Sequence, residues 1–151
     1  SLGQSLADKF KCPFIDTDDL LETMFAMEMK THLSCRDILL QHGEAAFRAW
    51  ERKVLQSLMN IKGVVISLGG GSLSKTTRHL IPRLGHLIYL KLPKEEVKRR
   101  LMKAPLPSYL TTCDPDSTFE GIYQERHQLF EAYANETVCP QDLEQGFVDA
   151  I

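Results

Sequence analysis

The sequence lacks an excess of charge of either sign. Its 18 Lys and Arg against 20 Asp and Glu leave a formal net charge of −2. That balance gives no electrostatic reason to expect nucleic acid or an anionic lipid surface as a partner. No apolar run approaches the ~20 residues that span a bilayer, so no membrane association is expected. Residues 1–10 lack a basic stretch followed by a long apolar core, so no signal peptide is visible. Cysteine is scarce and scattered. Cys12, Cys35, Cys113 and Cys139 form no CxxC pair and suggest neither a zinc site nor a redox motif. Free thiols in a reducing cytoplasm are the simplest account. Two disulfides in a secreted domain are the alternative, disfavoured because a domain this long rarely needs staples. Internal repeats, low-complexity tracts and linkers are also missing. A single domain over residues 1–151 is therefore expected, long enough to bury most of its unfolded surface. No apolar surface stripe stands out, and a monomer is expected.

What is present is an ordinary globular composition, 43% hydrophobic and 25% charged, which disfavours disordered and coiled-coil readings. Leu2, Leu6 and Phe10 recur every four residues and predict an opening helix. It shows no obvious cap, and the chain is expected to begin inside a longer protein. Phe14–Ile15 reads as a short buried strand ending at Asp16, and residues 18–29 as a helix. Ser34 is a candidate N-cap for a short helix to Gln41. Gly43 punctuates, and Phe47, Trp50, Val54, Leu55 and Leu58 then make the apolar stripe of a longer helix to about Met59. Residues 64–68 form a near-continuous apolar run, as in a strand covered on both faces. Residues 75–83 read as a short helix, 86–92 as a strand and 94–102 as a basic helix. The proline-bearing stretch 103–116 reads as a loop of the length that often forms a lid. A helix over 117–135, a short strand at 137–139 and a last helix at 142–151 complete the pattern. Alternating helices and strands argue for an α/β fold with a parallel sheet and helices on both faces.

In such sheets ligands bind beyond the carboxyl ends of the strands, and two of those ends carry unusual chemistry. Asp16-Thr17-Asp18-Asp19 follows the first strand. One carboxylate there can hold a hydrated magnesium ion, and another can accept hydrogen bonds from a substrate hydroxyl and take its proton. The plainer reading is helix capping by Asp18 and Asp19. Gly69-Gly70-Gly71 follows the second strand. Three glycines cost entropy on folding, and the gain is a bare backbone that a ligand can approach. A tight turn is the plainer reading. Glu44 precedes Arg48 by four residues and Glu51 follows it by three, so both can reach its guanidinium. An arginine held in that way presents its fork in a fixed direction, suited to a carboxylate. An ordinary surface ion-pair face is the alternative. Arg126, alone on the late helix, reads as a surface residue.

Taken in order, the motifs resemble shikimate kinase over nearly the whole chain. They are LGxxLA, Phe14-Ile15-Asp16-Thr17-Asp18, Gly43-Glu44-x-x-Phe47-Arg48-x-x-Glu51, Ser67-Leu68-Gly69-Gly70-Gly71, Tyr89-Leu90 and Glu125-Arg126-x-x-Leu129-Phe130. The resemblance implies a P-loop kinase of the nucleoside-monophosphate-kinase type, three-layer α/β/α with a five-stranded parallel sheet. The implied reaction moves the terminal phosphoryl group of ATP to the 3-hydroxyl of shikimate, on the route to chorismate. By the same resemblance Asp18 binds the shikimate hydroxyls and serves as base, and Asp16 acts on Mg2+ through water. Arg48 and Arg126 clamp the shikimate carboxylate, Glu51 orients Arg48, and Gly69, Gly70 and Gly71 line the pocket.

The sequence also departs from the family pattern. The family's GxxxxGK[ST] loop and first strand lie ahead of the position of Ser1. Lys103 stands near Pro105-Leu106-Pro107, where the family's lid carries an arginine, and is the candidate contact to ATP. Residues 24–33 look longer than usual, and residues 140–144 lack the basic residue often found there. Two further readings are another small-molecule P-loop kinase, such as a gluconate kinase, and a catalytically degenerate protein that binds shikimate-like acids. The Arg-x-x-Glu helix paired with the triple glycine speaks against the first.

Overall fold

The computed structural model describes residues 1–103 and 114–139. Their contacts divide the chain into two compact units, one over Ser1–Gly85 and one from His86 onward.

The first unit opens with α1 (Leu2–Phe10). Ser1 caps it, its side chain accepting the Gln4 N–H, so the helix is not the uncapped one the sequence suggested. Lys11 ends it in the left-handed conformation, its N–H returned to the Ala7 and Asp8 carbonyls. Strand β1 (Phe14–Asp16) then runs directly into α2 (Thr17–Met29). Helix α3 (Cys35–Leu58) starts at Ser34, whose hydroxyl accepts the Asp37 N–H, the predicted cap. Gly43 interrupts α3 with φ +82° and ψ 169°, so one long helix is in effect two, as the punctuating glycine implied. Strand β2 (Val65–Ser67) pairs parallel with β1, Asp16 opposite Ser67. The two parallel strands therefore end at the same level, and the residues just after them, Thr17–Asp18 and Leu68–Gly69, are neighbours.

Leu21 and Phe25 from α2 pack with Ile38, Val54 and Leu58 from α3, each 2% exposed or less. Ile15 and Ile66 from the strands, with Phe47 and Trp50, cover this core. At ~1.5–3 kcal/mol per large side chain fully buried, this cluster is the main source of the unit's stability. Trp50 meets Phe25 edge to face at 5.3 Å.

The predicted helix over 75–83 does not form. Turns run from Gly70 to Leu80, and a single 3-10 turn covers Ile81–Arg83. The Ser74 hydroxyl bonds those of Thr76 and Thr77, and Thr77 donates to the Ser72 carbonyl, competing with a helical ladder. Pro82 has no N–H to add.

The second unit holds β3 (Ile88–Leu90), α4 (Lys94–Lys103), α5 (Pro115–Tyr133) and β4 (Glu136–Val138). β3 and β4 pair parallel, Tyr89 opposite Thr137. Asn135 fixes their register: its side-chain oxygen accepts the Leu87 N–H at 2.8 Å, and its own N–H donates to the Leu87 carbonyl. Asp114 caps α5 and Pro115 opens it, where a missing N–H costs nothing. α4 does not carry a purely solvated basic face: Lys94 bonds Glu120 and Lys98 bonds Asp116, both on α5. The expected 103–116 loop is shorter at both ends, since Lys103 ends α4 and Pro115 and Asp116 open α5; residues 104–113 lie outside the described residues, as does the expected helix over 142–151. Cys12, Cys35 and Cys139 are free thiols; Cys113 also lies outside the described residues.

Candidate functional site

The site is built where β1 and β2 end. Asp16 is the last residue of β1 and the N-cap of α2, its Oδ1 accepting the Asp18 N–H at 2.9 Å. Capping thus falls on Asp16, and Asp18 and Asp19 occupy the first turn of α2, where the helix dipole favours acidic residues. Asp18 is exposed as a whole, but its carboxyl end lies against the backbone of Gly69. A Cβ on Gly69 would come within 2.7 Å of Asp18 Oδ1, so a side chain there would push the carboxylate from its place. The loss of water at that end raises the Asp18 pKa above the usual carboxylate range, helped by the nearby charges of Asp16, Glu22 and Asp19.

Arg48 reaches the other end of the same turn. Its Nη1 donates to Glu51 Oε2 at 2.6 Å and to the Gly71 carbonyl at 3.2 Å, and its Nη2 lies 3.5 Å from Glu44 Oε1. Glu51 is 8% exposed, so this pair is a shielded one, whereas the Glu44 side chain is 74% exposed and adds little. The arginine is fixed on one side and keeps donors for a ligand. Gly70, exposed, lies in the turn between these two contacts. The structure therefore brings Asp16, Asp18, Arg48, Glu51, Gly69, Gly70 and Gly71 to one turn.

Arg126 lies on α5 and Lys103 ends α4, both in the second unit. Beside Arg126, His127 Nδ1 lies 3.1 Å from the Tyr89 hydroxyl, and its Nε2 lies 3.4 Å from Glu131.

Two residues escaped the sequence reading. Glu22 stands one turn beyond Asp18, and its Oε1 accepts the Cys35 N–H at 2.7 Å, tying α2 to the start of α3. Thr17 is 5% exposed, and its Oγ1 accepts the Gly69 N–H at 3.2 Å. The signal for Thr17 was its place between the two aspartates; nothing in the spacing pointed to Glu22, whose partner is 13 residues away. The Cys35 thiol, 3.6 Å from the Asp18 carbonyl, is pushed well up by burial and by Asp18 and Glu22. It stays protonated at neutral pH and is no nucleophile.

An open cleft of about 450 Å³ lies along α2, lined by Asp19, Glu22, Thr23, Ala26, Met27 and His32. It includes neither Arg48 nor the glycines. Among the described residues no group of three or more His, Cys, Asp or Glu could hold a metal ion by itself, and no helix is long and apolar enough to cross a membrane.

A family profile described as shikimate kinase matches residues 1–151. The shikimate kinase of Microcystis aeruginosa is 31% identical over 144 residues, 95% of this chain and 72% of the relative. That of Clostridium botulinum, strain Loch Maree, is 31% identical over 150 residues, 98% of this chain and 84% of the relative. Among solved structures, shikimate kinase from Acinetobacter baumannii in complex with shikimate superposes with a TM-score of 0.78 at 25% identity, covering 90% of this chain and 73% of that one. Shikimate kinase from Bacteroides thetaiotaomicron gives 0.72 at 24% identity, covering 91% of this chain and 77% of that one. The parallel strand pairs and these likenesses put the fold in the three-layer α/β/α class with a parallel sheet. With the profile matched from end to end, the relatives matched over nearly all of the chain, and the aspartates, arginine and glycines of the motif gathered at one turn, the chain belongs to the shikimate kinase family.

Proposed function

We propose that the turn at Gly69–Gly71, with Asp18 and Arg48 on its two sides, is the shikimate side of the catalytic site. The observation that carries this reading is the Arg48 geometry. Its guanidinium is pinned by the shielded Glu51 and by the Gly71 carbonyl, in the same turn whose Gly69 abuts Asp18. As a member of its family the chain is an ATP-dependent small-molecule kinase that moves a phosphoryl group to a hydroxyl of shikimate. The acceptor is the 3-hydroxyl, and the product 3-phosphoshikimate feeds the chorismate route.

Shikimate carries one carboxylate and neighbouring hydroxyls, and the residues divide accordingly. Arg48 holds the carboxylate from a fixed direction, with Glu51 setting that direction. Arg126 is the second contact to the carboxylate; its support is the Glu125-Arg126-x-x-Leu129-Phe130 motif. Gly69, Gly70 and Gly71 let the ring approach the backbone. Asp18 accepts hydrogen bonds from the hydroxyls and takes the proton of the attacking one. Its raised pKa makes it a stronger base than an ordinary surface carboxylate. Lys103, the last residue of α4, is the candidate contact to ATP.

Phosphoryl transfer depends mainly on positioning and charge neutralisation. Mg2+ is bound through one or two carboxylates, waters and substrate phosphates rather than by an all-protein cage. Asp16 fits that pattern, since its half-buried carboxylate at the strand end spends Oδ1 on the cap and has a second oxygen. It would hold the ion through water, and the ion would neutralise charge on the transferring phosphoryl group. The protein is proposed to act as one domain, monomeric and cytoplasmic, on small molecules and not on nucleic acid.

The test is shikimate-dependent ADP release from MgATP by the purified protein. Turnover is expected, and Arg126→Ala is expected to abolish it while the circular dichroism spectrum is retained. Near-normal activity in that variant would overturn the role of Arg126, and shikimate binding without ADP release would make this a binding protein.

A further inference from the structure

Two buried threonine hydroxyls flank the glycine turn and have no part in the roles above. Thr17 Oγ1 accepts the Gly69 N–H at 3.2 Å from one side. On the other side Thr77, 0% exposed, donates its hydroxyl to the Ser72 carbonyl at 2.5 Å, with the Ser74 hydroxyl 2.6 Å away. Between them the Ser72 N–H donates to the Gly69 carbonyl at 3.0 Å. Ser72 is itself 5% exposed. A continuous run of hydrogen bonds therefore passes from the start of α2 through the turn to Thr77.

Three successive glycines have no side chains with which to hold a shape, and their backbone is the most permissive available. Yet this turn must keep two close approaches at once, Gly69 against the Asp18 carboxyl and the Gly71 carbonyl 3.2 Å from Arg48. Something outside the glycines has to set the shape. A buried hydroxyl left unpartnered is costly, so each threonine favours the single turn geometry that satisfies it. No buried side-chain nitrogen or oxygen is left unpaired among the described residues.

We propose that Thr17 and Thr77 are positioning residues for the reaction. Their hydroxyls hold the glycine turn in the shape that places its backbone against both Asp18 and Arg48. Neither touches a reacting atom. The effect on catalysis rests on the reading of this turn as the shikimate side of the site.

Thr17→Val and Thr77→Val keep the side-chain shape and remove the hydroxyl; Thr17→Ser and Thr77→Ser keep the hydroxyl. In the full enzyme, each valine variant is expected to raise KM for shikimate about tenfold, the size of one lost hydrogen bond, with KM for ATP within about twofold. The serine variants are expected to restore it. An unchanged KM for shikimate, equal rises in both KM values, or serine variants as impaired as valine ones would overturn the proposal. Should a valine variant fail to fold, serine is compared with alanine at the same position. Amide exchange at Gly69, followed by NMR without substrate, supplies a readout independent of the reaction. It is expected to quicken in Thr17→Val and not in Thr17→Ser, and unaltered exchange in Thr17→Val would sink the clamp itself. A wild-type enzyme inactive with shikimate, whose Gly69 amide is nonetheless deprotected in Thr17→Val, would refute the substrate reading and leave the clamp standing.

Discussion

The carboxyl of Asp18 loses water under Gly69 and stands near Asp16, Glu22 and Asp19, and all of these disfavour its charge. Its folded pKa therefore lies above the unfolded one, near 3.8. Below the unfolded value both states are protonated and nothing is lost. As pH rises through the folded value, the native state gives up a proton it holds more tightly, and stability falls. Asp18→Asn removes that charge. It is expected to abolish turnover yet raise the thermal midpoint at neutral pH, with the gain shrinking as pH falls toward the unfolded value; calorimetry across pH checks both. Glu22 offers a finer test. Glu22→Gln keeps an oxygen for the Cys35 N–H and removes one charge that raises Asp18. If Asp18 is the base, the acidic limb of kcat/KM against pH moves to lower pH in that variant. Asp18 was legible in the sequence because its motif is local. Glu22 was not, because its bond to Cys35 exists once α2 and α3 are packed.

Helix α3 carries both Arg48 and Glu51, and Gly43 decides how that part of the helix leaves the segment before it. Its φ of +82° with ψ 169° is a region closed to residues with a Cβ. Gly43→Ala has open space around the new methyl, so the cost is one of backbone conformation. It is expected to lower unfolding free energy by about 1–3 kcal/mol, read by urea titration, and to raise KM for shikimate as Arg48 is displaced. The helices, the Ser34 cap and this interruption could be read from periodicity and punctuation, which are local signals. Residues 75–83 could not. Their spacing suited a helix, but Thr77 found the Ser72 carbonyl instead, with the Ser74 hydroxyl on Thr77, and that bond depends on how the glycine turn folds back.

The apolar core of Ser1–Gly85 joins α2, α3, β1 and β2, and the candidate site lies where those two strands end. Binding is thus coupled to the stability of this unit. Shikimate at a hundred times its Kd is expected to stabilise the protein by about 2.7 kcal/mol, seen as a rise in thermal midpoint. Magnesium is expected to act differently. Chelation should stop ADP release without changing the far-ultraviolet circular dichroism, because no cluster among the described residues ties the fold to a metal.

The sequence by itself determined the fold class, the order of most elements, the family and the residues of the motif. The family rests on the resemblance carried by the motifs in their order, and the rest on short-range pattern: alternating periods, a cap, glycines after a strand, charges three and four residues apart. Tertiary structure decided what those residues do to one another. Parallel pairing of β1 with β2 brings Thr17 to Gly69 across 52 positions, and the fold of the turn brings Arg48 to Gly71 across 23. Burial decided which of two similar glutamates, Glu44 and Glu51, holds the arginine. Contacts of that range depend on register and packing, which no local window of residues contains.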